Sequence, residues 1–160
     1  MKQLWEIGYF LRALRARMRH GELSRAPLHL LRMEVHGKTA ECEWLARPPD
    51  VWDSTLPRHL RDELASDQAL RDAIELSDLF FETLPEVHEA EFRAFRQSAR
   101  EPPRMVINGK LRREAPPVMR VPSLVMRAKM YGFHFWLNDG VLVPLDGEPE
   151  ERGWQLLKSG

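Results

Sequence analysis

Apolar residues along the first twenty positions recur at helical spacing. Leu4, Ile7, Leu11, Leu14 and Met18 fall at steps of three and four with Phe10 beside them, which predicts an amphipathic helix. Arg12, Arg15 and Arg19 make a second, basic stripe, and Gly21 is placed to close the helix as a C-terminal cap. Docking of the apolar stripe on a core is the expected use of this helix. With Trp5, Tyr9 and Phe10 aboard, contact with an anionic membrane or with a partner is the other.

The period then changes to two. Leu31, Met33 and Val35 alternate on one strand, and Ala40, Cys42 and Trp44 on the next. Pairing 31 with 44, 33 with 42 and 35 with 40 uses one register and leaves Gly37-Lys38 as a two-residue loop, with Gly first as a type II′ turn prefers. Cys42 then faces the core as a small hydrophobe, and Arg32 stands across from Glu43 on the polar side. Glu34 stands across from Glu41, a repulsion that Arg32 or an arginine of a neighbouring element would offset.

After the break at Arg47-Pro48-Pro49, Ser54 offers an N-cap for a helix bearing Leu56, Leu60 and Leu64, and Ser66 or Asp67 for a second bearing Leu70, Ala73, Ile74, Phe80, Phe81 and Leu84. A single long, kinked helix fits the same pattern. A strand is expected over Val87–Gln97. Arg104–Arg113 makes either a hairpin turning at Asn108-Gly109 or one strand with a bulge at Gly109. Ala115-Pro116-Pro117 and Val121-Pro122 read as linker, and Ser123 caps a short helix over Leu124–Tyr131.

A last hairpin follows, with Asn138-Asp139-Gly140 as a three-residue loop. It would pair 137 with 141, 135 with 143 and 133 with 145, leaving His134, Trp136, Leu142 and Pro144 on a second, apolar face. The sum is one α+β domain over residues 1–145, an antiparallel sheet built from consecutive hairpins with helices packed on one face. Residues 146–160 read as an acidic tail, with Trp154, Leu156 and Leu157 docking weakly.

Composition narrows the possibilities. The chain of 160 residues, 43% hydrophobic, suffices for one core. Its pattern contains neither a membrane-spanning run nor the apolar block of a signal peptide, and its one cysteine suits a reducing, cytoplasmic setting. The formal net charge is zero, but Lys/Arg minus Asp/Glu is +4 over residues 1–36, −9 over 37–92, +8 over 93–131 and −3 over 132–160. Such blocks either present a basic face to a polyanion or pack beside one another and neutralise.

Signatures of nucleotide binding and of the common hydrolases are absent: no Gly-x-Gly-x-x-Gly, no Walker lysine, no His-Glu-x-x-His, no Gly-x-Ser-x-Gly. The six histidines are scattered, and Glu75, Asp78 and Glu82 share a helical face that is read as solvated, so no metal or cofactor is expected. The leading expectation is a non-catalytic binding or adaptor protein meeting a protein partner or a second copy through Phe133, His134, Trp136 and Leu142. An alternative assigns nucleic-acid binding to the basic block through Arg104, Lys110, Arg112, Arg113, Arg127 and Lys129. A further alternative is an enzyme whose deep pocket holds a titratable group such as His134 or one of the strand glutamates.

Overall fold

A computed structural model describes residues 2–114 and 123–145. The linker at 115–117 and 121–122, Arg120 and the acidic tail of 146–160 lie outside the described residues. The elements are α1 (Lys2–Arg17), β1 (His29–His36), β2 (Thr39–Leu45), α2 (Arg58–Thr83), β3 (Glu89–Arg96), β4 (Arg104–Arg112), α3 (Leu124–Tyr131), β5 (Trp136–Asn138) and β6 (Val141–Val143). The fold is α+β. No helix among the described residues is long and apolar enough to cross a membrane.

The main sheet has the order β1-β2-β3-β4, and two antiparallel hairpins supply its outer pairs. The two hairpins join through a parallel pair, β2 with β3, from Thr39 opposite Glu89 to Leu45 opposite Phe95. Parallel neighbours need a long crossover, and α2 with its flanking turns provides it. One face of the sheet is closed by Ala40, Cys42, Trp44, Ala90, Phe92, Ala94, Ile107 and Leu111, all buried. Against it an edge-to-face chain of rings ties the layers: Phe10 of α1 meets Phe80 of α2 at 5.3 Å, and Phe80 meets Phe92 of β3 at 5.2 Å. Phe92 also meets Phe133 at 6.2 Å. Burial pushes the Cys42 thiol up, with the charge of Glu43 adding to the effect.

Several local expectations change. In the first hairpin Met33–Cys42, Val35–Ala40 and Arg32–Glu43 pair as read, and Gly37 turns at φ 65°. The register slips between Leu30 and Arg32, so Leu30 rather than Leu31 faces Trp44, and Leu31 bulges outward. Ser54 and Ser66 cap nothing: α2 is one helix of 26 residues that begins after Pro57, because Ala65-Ser66-Asp67-Gln68 contains no breaker. Nor does Gly21 cap α1, which ends at Arg17; the Arg47 guanidinium takes the carbonyls of Met18 and Arg19 instead.

Asn108-Gly109 is neither a turn nor a bulge. It lies inside β4, opposite Arg93 and Phe92, and the register shift falls one turn of the ladder earlier, opposite Ala94/Phe95. Gly109 serves close approach: a Cβ there would stand 2.8 Å from the carbonyl oxygen of Gly132 and 3.0 Å from the Phe133 ring. Those neighbours arrive because α3 starts at Ser123, whose hydroxyl accepts from the Met126 N–H, and ends at Gly132 with φ 111°. His134 then exchanges backbone hydrogen bonds with Asn108 along the free edge of β4.

The last hairpin closes through a two-residue loop. Asp139 and Gly140 both take positive φ, as in a type I′ turn, and the pairs become Trp136–Val143, Leu137–Leu142 and Asn138–Val141. This one-residue change puts Leu142 on the core side with Phe133 and Phe135.

Candidate functional site

A cleft of about 720 Å³ opens where β2 and β3 end side by side. That is the place where a parallel pair leaves a gap, since each chain departs in its own direction from a common edge. Leu45, Ala46 and Pro48 follow from β2, and Gln97 and Ser98 follow from β3. Asp62, Ala65, Ser66 and Ala69 of α2 form one wall, while Val106, Val141 and Leu142 form the base. The volume falls in the range of small-molecule sites.

Two polar side chains hold this base in place. The Ser66 hydroxyl accepts from the Leu142 N–H at 2.9 Å, and Arg96 Nη1 donates to the Leu142 carbonyl at 2.6 Å. Leu142 is thereby fixed from both sides, with its side chain buried. Among the described residues no carboxylate lies within ion-pair distance of Arg96, whose Nη1 is held by that carbonyl. Arg58 and Asp62, 3.9 Å apart on the first turns of α2, stand at the rim, and His29 is exposed beside them.

One corner of the cleft rests on a buried ion pair. Arg47 Nε donates to Asp72 Oδ2 at 2.7 Å and Nη2 to Oδ1 at 3.3 Å, and Gln68 Nε2 donates to the same carboxylate at 2.9 Å. The remaining guanidinium hydrogens go to the carbonyls of Met18, Arg19 and Ala26. Burial pushes the Asp72 carboxyl up, against the pull of Arg47 and Gln68.

The sheet's open face carries charge in both signs. Arg93 Nη1 stands 2.6 Å from Glu43 and 3.2 Å from Glu41, and its Nη2 stands 2.9 Å from Glu91. Arg32 reaches Glu34, Glu41 and Glu43 from the other side. Hydrogen bonds from Arg93 and Arg32 hold the Glu41 carboxyl below the usual range, and those from His36 and Arg32 do the same for Glu34. Here Arg93 of the basic block and Arg32 offset part of the charge of four glutamates.

The residues expected to meet a partner divide. Phe133 and Leu142 are 4% and 2% exposed and belong to the core: the end of α3 sets Phe133 against Phe92, and the tighter turn reverses the face of β6 that carries Leu142. His134 is exposed and Trp136 half-buried, their rings 5.9 Å apart. The basic residues are also dispersed. Arg113 closes the end of α2, donating to the carbonyls of Phe81, Leu84 and Val87 at 2.5–2.8 Å and lying 5.2 Å over the Phe81 ring. Lys110 and Arg112 are exposed on the outer side of β4, and Arg104 is half-buried at its start. Arg127 is half-buried, and Lys129 lies 5.8 Å over Phe135 on α3.

Of all these, only Leu142 touches the cleft. His134 and the strand glutamates lie outside it, as do Asp78 and Tyr131, whose hydroxyl donates to the Asp78 carboxylate at 2.9 Å. Among the described residues no group of three His, Cys, Asp or Glu side chains converges as a metal site would require. No family model matches this chain, and no curated protein or solved structure does either.

Proposed function

We propose that this chain is a non-catalytic binding protein whose ligand, a small molecule with an apolar body and one anionic group, sits in the cleft at the ends of β2 and β3. The observation that carries the reading is the pairing of apolar walls with the Arg96 guanidinium, which lacks a carboxylate among the described residues. Binding is favoured over catalysis because the side chains whose protonation is pushed up by burial, among them Cys42, Asp67, Asp72, Glu75, Asp78 and Tyr131, do not line this space. A cytoplasmic setting belongs to the same reading, supported by a buried, unpaired cysteine.

The test is a fluorescence titration with 8-anilinonaphthalene-1-sulfonate, an aromatic body bearing one sulfonate, on the full chain and on Ala65→Trp. Ala65 is a half-buried wall residue, so the indole fills the cleft without entering the core. Saturable binding to the parent that falls by about tenfold or more in the variant supports the reading, in line with loss of one well-formed apolar contact surface. Equal binding by both proteins rejects this cleft.

A second reading, contact with a protein partner or a second copy through the last hairpin, rests on the exposed His134 next to Trp136. Light scattering over a range of concentrations, with His134→Ala as the control, tests self-association. A strict monomer that captures no partner removes it.

A further inference from the structure

Helix α1 turns two unlike faces outward and inward. Phe10, Leu14 and Met18 enter the core, whereas Leu4, Trp5 and Tyr9 are 66%, 75% and 54% exposed. With about 100° between successive residues, these three share an outward sector with Arg12 and Arg15, both exposed, and no carboxylate falls in that sector. Glu6, the acidic residue of this helix, lies toward its flank and is half-buried. Among the described residues neither Arg12 nor Arg15 has a carboxylate within ion-pair distance, while Arg17, on the flank facing α2, pairs with Glu82 at 3.0 Å. The Arg12 guanidinium lies over Gly8, its Nη1 at an ordinary contact distance of 3.6 Å from where a Cβ would stand, and Leu4, Trp5, Gly8 and Arg12 line a shallow depression.

We propose that this face of α1 seats the protein on an anionic phospholipid surface, with Leu4, Trp5 and Tyr9 at the boundary of headgroups and acyl chains and Arg12 and Arg15 on lipid phosphates. The shape of the patch selects the partner. Three large side chains protrude from a convex helix ridge, and a rigid protein would need a matching socket for each, whereas a fluid interface closes around them. Tryptophan and tyrosine favour that depth because each joins an apolar ring to a polar group, and the guanidinium groups of Arg12 and Arg15 complement anionic lipid. The proposal stands apart from the cleft, since no α1 residue lines it.

Sedimentation of the full chain with vesicles of phosphatidylcholine, and of phosphatidylcholine with about 30% phosphatidylserine, tests this at moderate ionic strength. The expected result is partitioning about tenfold or more in favour of the anionic vesicles, lost by a similar factor in Trp5→Ala/Tyr9→Ala and in Arg12→Glu/Arg15→Glu. All four side chains lie outside the core, and an unchanged circular dichroism spectrum and melting curve establishes that the variants are folded. Equal partitioning of parent and variants overturns the proposal. So does failure of the parent to bind anionic vesicles while the same substitutions abolish concentration-dependent self-association, which would assign the face to a second copy.

Discussion

Arg47 and Asp72 meet at 2.7 Å with their side chains 1% and 2% exposed, and every N–H of the guanidinium has an acceptor. The pair binds the end of α1, the segment before β1, the end of β2 and the middle of α2 into one unit. Its value lies in what happens when half of it is removed. Asp72→Ala leaves a buried cation with carbonyl partners alone, and Arg47→Ala leaves a buried carboxylate and frees three carbonyls. Each is expected to cost about 3–5 kcal/mol in urea unfolding, the usual penalty for an uncompensated buried charge. The double variant is expected to lose less than the sum of the two, since no lone charge remains.

Tyr131 provides a titration signature. Burial and its hydrogen bond to Asp78 push the phenol up to about 12. In the folded chain the proton is held more tightly than in the unfolded chain, whose phenol titrates near 10. The stability this contributes is complete below about pH 10 and is lost as pH rises through about 12. Absorbance at the tyrosinate band is expected to resolve one of the two tyrosines near the upper value, and Asp78→Asn to bring that step down.

Gly109→Ala tests whether the glycine in β4 is needed for space. The added methyl meets the Gly132 carbonyl at 2.8 Å, a backbone atom that cannot swing aside, and a cost of about 1–3 kcal/mol in chemical unfolding is expected. Ala at this position with undiminished stability would mean that α3 and the strand edge shift freely.

On the open face of the sheet, Arg93→Ala leaves Glu41, Glu43 and Glu91 facing one another with Arg32 alone to offset them. Like charges across neighbouring strands repel, and salt screens that repulsion. The parent's melting temperature is expected to fall or stay level as salt rises, and the variant's to rise. The sign of the slope reports the network independently of its total strength.

The basic residues near the end of β4 separate into two roles. Arg113→Ala uncaps α2 and is expected to cost about 2 kcal/mol or more, whereas Lys110→Gln with Arg112→Gln is expected to change stability by about 0.5 kcal/mol or less. Binding of mixed-sequence DNA and RNA at low salt therefore bears on this surface only when judged by the second variant. Loss of such binding in that variant would assign the outer side of β4 to nucleic acid; its absence in the parent would leave Lys110 and Arg112 as a solvated edge.

What could be read from the sequence was whatever a few neighbouring residues decide together. The Ser123 cap opens α3 over the expected range, and the alternation of Met33, Val35, Ala40 and Cys42 places one face of the first hairpin. Where distant segments compete for a residue, local signals mislead. Asn108-Gly109 has the composition of a tight turn, but Gly109 is small because Gly132 and Phe133 press on it from a later part of the chain. Asn138-Asp139-Gly140 fits two loop lengths, and the choice between them moves Leu142 from the surface to the core. The cleft left no trace at all: Ala65, Leu45, Val106 and Val141 are ordinary apolar residues in four separate stretches, and only the parallel pairing of β2 with β3 gathers them.

That parallel pairing also sets an order of events during folding. Each hairpin closes over a short loop, but β2 can find β3 only after the intervening chain has condensed into α2 and folded back over the sheet. The two halves of the sheet are therefore expected to gain protection from hydrogen exchange separately, and the seam between Ala40–Trp44 and Ala90–Ala94 to gain it last, after α2. A refolding chain caught before that step would carry two unpaired strand edges facing each other across open solvent.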